Sequence, residues 1–232
     1  MGSYIRRGIL AAALIGVATG ANLKADDAAV TAEQALTRLK AGNRRFVDGA
    51  SEAPQLDQAR RQVLAGGQHP FATVLSCADS RVPPEHVFNT GLGELFVVRA
   101  AGEVVDKSIL ASVEYATEHL HTPLLVVMGH EICGAVKASI DNPASMGPNL
   151  DYMLKQIRPA VERSAGEADR VRAAILANVE QVINDALAGS AILRHLVAGG
   201  KLQVVGGYYE LSTGRVLFSK PVTAASLSTS AH

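Results

Sequence analysis

The chain has 232 residues, 48% of them apolar and 19% charged, with 22 basic and 22 acidic side chains that cancel. Aromatics are scarce and Trp is absent, so this is ordinary globular composition with a core built mainly from Val, Leu, Ile and Ala. A neutral chain without long runs of either charge excludes a partner held by charge alone, nucleic acid above all.

The first segment has the pattern of an export leader. Arg6 and Arg7 precede an apolar run over 8–17, and small-residue sites follow that end at Ala21 and Ala25. The run is shorter than the about 20 residues a membrane span needs. The reading is therefore a cleaved signal peptide over 1–25 and a single domain over 26–232. On that reading the mature chain is expected to be periplasmic or secreted, with no stable membrane anchor after cleavage; an uncleaved N-terminal anchor is the lesser alternative. Cleavage after Ala25 removes Arg6, Arg7 and Lys24 but no acid, leaving the mature chain slightly acidic.

Helical spacing of Ala35, Leu36, Leu39 and Phe46 predicts a helix over 31–47, with Thr31 as N-cap and Gln34 completing a capping box. A second helix is predicted over 55–65, stopped by Gly66-Gly67. Short apolar, β-branched runs over 71–76, 94–99, 124–129 and 201–206 read as buried strands. A helix over 107–119 lies between the second and third. Further helices are predicted over 149–164, 168–188 and 190–197, and Ser212-Thr213-Gly214 turns into a fifth strand over 215–219. Ala224 to His232 is a small-residue tail. The alternation predicts an α/β fold, a mostly parallel central sheet of four strands plus a C-terminal antiparallel edge strand, flanked by helices.

Ligands gather at the carboxyl ends of such strands. Cys77 follows the first strand within Ser-Cys-Ala-Asp-Ser-Arg-Val-Pro-Pro-Glu. His130 follows the third within Gly-His-Glu-Ile-Cys-Gly, with Cys133 one helical turn on. The spacing predicts that residues far apart in sequence meet at one sheet edge. Two thiolates and an imidazole are three of the four ligands of tetrahedral zinc, and Asp79 can be the fourth or leave that place to water.

Counted alone, two cysteines in an exported chain favour a disulfide. His130 at that spacing and the Asp79/Arg81 pair reverse the preference, because a disulfide needs neither. The lesser alternative for Asp79 and Arg81 is a plain structural ion pair. Gln68 reads as a turn residue before Pro70, and Phe96 and Tyr115 as core. His69, His86, His119, His121, His195 and His232 read as surface or structural.

Three blocks carry a resemblance: 77–85 (Cys-Ala-Asp-Ser-Arg-Val-Pro-Pro-Glu), 93–99 (Gly-Glu-Leu-Phe-Val-Val-Arg) and 129–135 (Gly-His-Glu-Ile-Cys-Gly-Ala). In this order they resemble the β-class carbonic anhydrases, over about 31–218. The resemblance implies one zinc per chain on Cys77, His130 and Cys133, with Asp79 and Arg81 as a catalytic dyad. It also implies reversible hydration of CO2 to bicarbonate by water activated on the metal, oriented by that dyad.

Gln68, Phe96 and Tyr115 match pocket positions, some contributed by a neighbouring subunit, and the Gly134 N–H is placed to bind a substrate oxygen. The family implies a homodimer or dimer of dimers, with N-terminal helices packed on the partner. Val74 stands where one subgroup has a Trp, which favours the subgroup whose Asp79 is bonded to Arg81. Hydrolysis of carbon disulfide or carbonyl sulfide on the same zinc, and a non-catalytic zinc-binding protein, are the alternatives.

Overall fold

A computed structural model of the chain describes residues 30–51 and 55–222. The leader over 1–25 and the tail from Ala224 lie outside the described residues. The elements in order are α1 (Ala32–Val47), α2 (Gln58–Leu64), β1 (Ala72–Cys77), α3 (Pro84–Val87), β2 (Leu95–Ala100), a 3₁₀ turn (Ala101–Glu103), α4 (Lys107–Glu114), a π-helical turn (Tyr115–His119) and β3 (Leu124–His130). Then come α5 (Gly134–Asp141), α6 (Pro148–Arg163), α7 (Arg170–Gly189), α8 (Ala191–Ala198), β4 (Gln203–Tyr209) and β5 (Val216–Phe218).

Side-chain caps start most of the long helices. Thr31 Oγ1 accepts from the Gln34 N–H at 3.2 Å and Gln34 Oε1 accepts from the Thr31 N–H at 2.9 Å, the capping box expected for α1. Asp57, Asp106, Asp169 and Ser190 cap α2, α4, α7 and α8 with a side-chain oxygen that accepts from first-turn N–H groups, without the reciprocal bond, and Pro148 opens α6. The helix expected over 107–119 is α-helical only to Glu114 and then loosens into the π turn.

The sheet order is β2-β1-β3-β4-β5, parallel except for β5. The chain crosses from β1 to β2 on one side and then to β3 on the other. The carboxyl ends of β1 and β3 therefore flank a topological switch point, where such sheets open a crevice.

Alternate side chains feed two cores. Val74, Leu124, Val126, Met128 and Val205 pack on one face with α1, α3, α5 and α6, while Leu75, Leu125, Val127 and Val204 pack on the other with α4, α8 and much of α7. Each fully buried Leu or Val contributes roughly 1.5–3 kcal/mol. An exposed pair such as Arg172–Glu210, at 3.7 Å, adds at most about 1 kcal/mol. The two cores, not surface charge, hold the sheet.

Asn43 on α1 is buried and ties this helix to its own chain. It donates to the Val87 and Gly214 carbonyls at 3.1 and 2.8 Å and accepts from the Val216 N–H at 2.9 Å. Among the described residues no helix is long and apolar enough to cross a membrane.

Candidate metal centre

The two sequence-predicted strand ends meet. Cys77 closes β1, His130 closes β3 and Cys133 caps α5. Their donor atoms all lie within 4.8 Å of one another, and all three residues are buried. Tetrahedral zinc, bound at about 2.3 Å to sulfur and 2.0–2.1 Å to nitrogen, needs donor atoms about 3.5–3.8 Å apart. The cluster can close on an ion with small side-chain adjustments. Both cysteines are free thiols, so the disulfide alternative is not formed.

His130 is prepared for this role. Its Nδ1 lies 2.9 Å from the Glu131 carbonyl oxygen, which accepts only if Nδ1 carries the proton. Nε2 is then the free lone pair, and this buried atom has no hydrogen-bond partner among the described residues. Glu131 is itself pinned. Its N–H donates to Tyr209 O at 2.8 Å, and its carboxylate accepts from the Leu211 N–H at 2.9 Å.

The sulfurs behave as a pair. A hydrogen bond from Cys133, helped by His130 and by the Asp79 and Gly102 N–H groups, pulls the Cys77 thiol down to about 4 against the opposing effect of burial. The same bond, then burial, pushes Cys133 far up. One proton is thus shared between two sulfurs, and a dication placed there would displace it. Burial pushes the His130 imidazole down, and the adjoining Cys77 sulfur pulls it back above its ordinary value. The donor set, the orphaned Nε2 and the shared proton all fit zinc.

Asp79 lies beside this cluster and is turned toward Arg81. Arg81 Nε and Nη2 donate to Asp79 Oδ1 and Oδ2 at 2.9 and 2.7 Å, and the Arg81 backbone N–H adds a bond of 2.9 Å to Oδ1. These bonds hold the Asp79 carboxyl well below the usual carboxylate range. Its Oδ2 is 3.8 Å from His130 Nε2, so the carboxylate borders the cluster without joining it as a fourth ligand.

Gly134, first residue of α5, is exposed, and a Cβ built there would meet nothing within 4 Å. The space over this backbone is open to a small molecule.

Gln68, Phe96 and Tyr115 do not reach the cluster within one chain. Gln68 is exposed in the loop before β1, at the end of the strand opposite Cys77. Phe96 pairs in register with Thr73, four strand positions from Cys77, or roughly 13 Å at the rise of a parallel strand. Its ring lies 6.1 Å from that of half-exposed Tyr115. These residues share the far rim of the sheet.

Two groups at the centre carry no role in the sequence reading. Arg99 Nε and Nη2 donate to the Cys77 and Asp79 carbonyls at 3.0 and 2.6 Å, bracing the loop that presents both residues. The Gly102 N–H donates to Cys77 Sγ at 3.3 Å. A lone arginine ending an apolar strand beside the cysteine-bearing one was the readable signal for Arg99. Gly102 offered none.

The wider comparisons agree with the site. A family model described as carbonic anhydrase matches residues 72–216. "Carbonic anhydrase 2" of Mycobacterium tuberculosis is 39% identical over 183 residues, covering 77% of this chain and 88% of that protein. The carbonic anhydrase of Mycolicibacterium smegmatis is 38% identical over the same shares of both chains.

Among solved structures, a Coccomyxa β-carbonic anhydrase in complex with acetazolamide superposes with a TM-score of 0.68 at 29% identity, over 84% of this chain and 91% of that one. One of two tetrameric β-carbonic anhydrases from Sordaria macrospora gives 0.63 at 27% identity, over 70% and 87%. With a family match over most of its length and a cluster of two cysteines and a histidine at the sheet's switch point, this chain belongs to the β-class carbonic anhydrases.

Proposed function

We propose that the protein catalyses the reversible hydration of CO2, converting CO2 and water to bicarbonate and a proton. The observation that carries this reading is the Cys77–His130–Cys133 cluster with the ionised Asp79 locked beside it by Arg81. Zinc held by these three residues would supply a Lewis acid that lowers the pKa of water toward the physiological range. Two thiolates donate more charge than two imidazoles, so activity is expected to rise into alkaline pH.

The chain's own groups do the rest. Asp79 accepts a hydrogen bond from the attacking water and aims its lone pair at the carbon of CO2. Arg81 keeps Asp79 ionised and oriented through its planar fork. The Gly134 N–H, at the start of α5, donates to a substrate oxygen as negative charge develops there.

The positions of Gln68, Phe96 and Tyr115 support a homo-oligomer. They lie too far along the sheet to serve their own cluster, so a neighbouring subunit would have to bring them to it. The tetrameric relatives from Sordaria macrospora agree with that reading.

The deciding experiment is stopped-flow CO2 hydration by zinc-analysed protein from pH 6 to 9, with carbonyl sulfide and carbon disulfide as parallel substrates. Turnover of CO2 that scales with zinc content supports the reading. Turnover of the sulfur analogues alone would replace it, and zinc bound without turnover of any would reduce the chain to a metal-binding protein.

A further inference from the structure

A buried polar pair sits behind the cluster, its side-chain hydrogen bonds among the described residues going to Gly102 and to each other. Glu103 and Asn178 are 0% and 1% exposed. Asn178 lies on the apolar stripe of α7, between Ile175 one turn before it and Val182 one turn after it, all buried. Its Nδ2 donates both to the Gly102 carbonyl and to Glu103 Oε1, each at 2.9 Å.

Those two acceptors belong to consecutive residues in left-handed backbone, Gly102 at φ 65 and Glu103 at φ 44. Left-handed geometry outside glycine costs of order 1 kcal/mol and persists where surroundings enforce it. Here the enforcement is visible. A Cβ on Gly102 would fall 2.7 Å from Ile157 Cδ1, and one on Gly129 would fall 3.1 Å from Glu103 Oε1. The N–H of this same Gly102 is the donor to Cys77 Sγ.

We infer that Asn178 and Glu103 act together as an outer clamp on the metal centre, holding the left-handed turn whose Gly102 N–H bonds the Cys77 sulfur. The inference rests on Cys77, His130 and Cys133 being the metal ligands.

The pairing also specifies the protonation of the acid. Each partner keeps one buried oxygen without a hydrogen-bond partner among the described residues, Glu103 Oε2 and Asn178 Oδ1. Burial pushes the Glu103 carboxyl up to about 8, with the nearby Cys77 thiolate adding to it. A neutral carboxyl supplies the one donor the pair lacks, so acid and amide can bond reciprocally. A neutral acid also spares a centre already rich in thiolate charge a further buried anion. Asn178 and Glu103 are therefore positioning residues. They act through Gly102, whose N–H stabilises the thiolate and fixes its direction.

The test measures zinc release to a chromogenic chelator, and the sulfur-to-metal charge-transfer band of the cobalt(II)-substituted protein. Asn178→Ala and Asn178→Leu, the second retaining the volume, are expected to release zinc on the order of 10- to 100-fold faster than wild type. Their cobalt bands should move to lower energy, because a thiolate without its N–H donor is more electron-rich. Glu103→Gln, which presents the same acceptor and donor as the neutral acid, should leave both readings at wild-type values.

Val182→Ala, on the same helix but in the opposite core, controls for general loosening and should change neither reading. Asn178 variants indistinguishable from Val182→Ala would overturn the clamp. Glu103→Gln behaving like Asn178→Ala would overturn the neutral pairing. A wild-type protein that takes up neither zinc nor cobalt would overturn the ligand assignment first, and the clamp with it.

Discussion

Arg81 grips Asp79 three times, twice through its guanidinium and once through its own backbone N–H, at 2.7–2.9 Å. The two are separated only by Ser80, so the loop that follows β1 must curl back on itself to make these bonds. It does so under the brace of Arg99, whose guanidinium holds the Cys77 and Asp79 carbonyls. A carboxylate held in this way is ionised at every physiological pH and has one orientation. It can serve as a fixed acceptor for a water hydrogen, which a freely rotating or protonated aspartate could not.

Asp79→Ala therefore should retain zinc at one per chain while CO2 hydration falls by on the order of 10²- to 10⁴-fold, the usual worth of a positioned proton acceptor. Metal analysis and stopped-flow rates on the same preparation check it. Activity within a few-fold of wild type would reduce the pair to a structural one.

Arg81→Ala removes the group that depresses the Asp79 pKa, and the sign of the effect follows from linkage. With its folded pKa below the unfolded value of about 3.9, Asp79 contributes stability that is complete above that pH. The contribution is lost as pH falls toward the folded value. The variant should thus melt slightly below wild type at pH 7, with the gap closing below about pH 4. The acid limb of its rate profile should move to higher pH as Asp79 returns toward its ordinary range. A constant gap in melting temperature down to pH 3 would contradict this account.

The shared proton between Cys77 and Cys133 has a calorimetric consequence. Zinc binding to the metal-free protein near pH 7 should release at least one proton per chain, so the apparent enthalpy should vary with the ionisation enthalpy of the buffer. Cys133→Ser, Cys77→Ser and His130→Ala should each fall well below one zinc per chain. An enthalpy independent of buffer would mean that both sulfurs are already ionised in the metal-free state.

Gly42 supplies a test of the fold alone. A Cβ on this α1 residue would lie 1.8 Å from the Phe88 carbonyl oxygen, backbone that cannot rotate away. Gly42→Ala should destabilise by about 1–3 kcal/mol through forced separation of α1 from α3. Thermal melting reads this directly. Zinc content of the folded fraction should be unchanged, since neither element carries a ligand.

The metal cluster was legible in the sequence because β-branched runs announce buried strands, and parallel strands collect ligands at their carboxyl ends. Each ligand-bearing strand runs one residue past the end of its apolar run, because Cys77 and His130 still pair in register with Ala100 and Tyr209. The expected fourth strand ends at Gly206, the first of two glycines, which strands disfavour. The structure continues it to Tyr209, and glycine is required there, as a Cβ on Gly206 would meet Val179 Cγ1 at 2.9 Å.

Less local features escaped. α3 is a single turn begun by Pro84, too short for any periodicity. Asn178 was the readable trace of the outer clamp, a polar residue on an apolar helical stripe. Its partner Glu103 gave no sign, because only tertiary packing reveals that this acid is buried. Gln68, Phe96 and Tyr115 rested on resemblance, and the far rim on which they lie could not be deduced from their order in the chain.

The three candidate ligands enter from two strand ends and a helix start, and nothing covalent joins them. An ion seated among them would rivet β1 to β3 at one rim only, leaving the opposite rim to its hydrocarbon packing. Stripping the protein of metal should therefore loosen it lopsidedly. Amide exchange would quicken around Cys77, Gly102 and Cys133 while the amino-terminal ends of the same strands stay as protected as before.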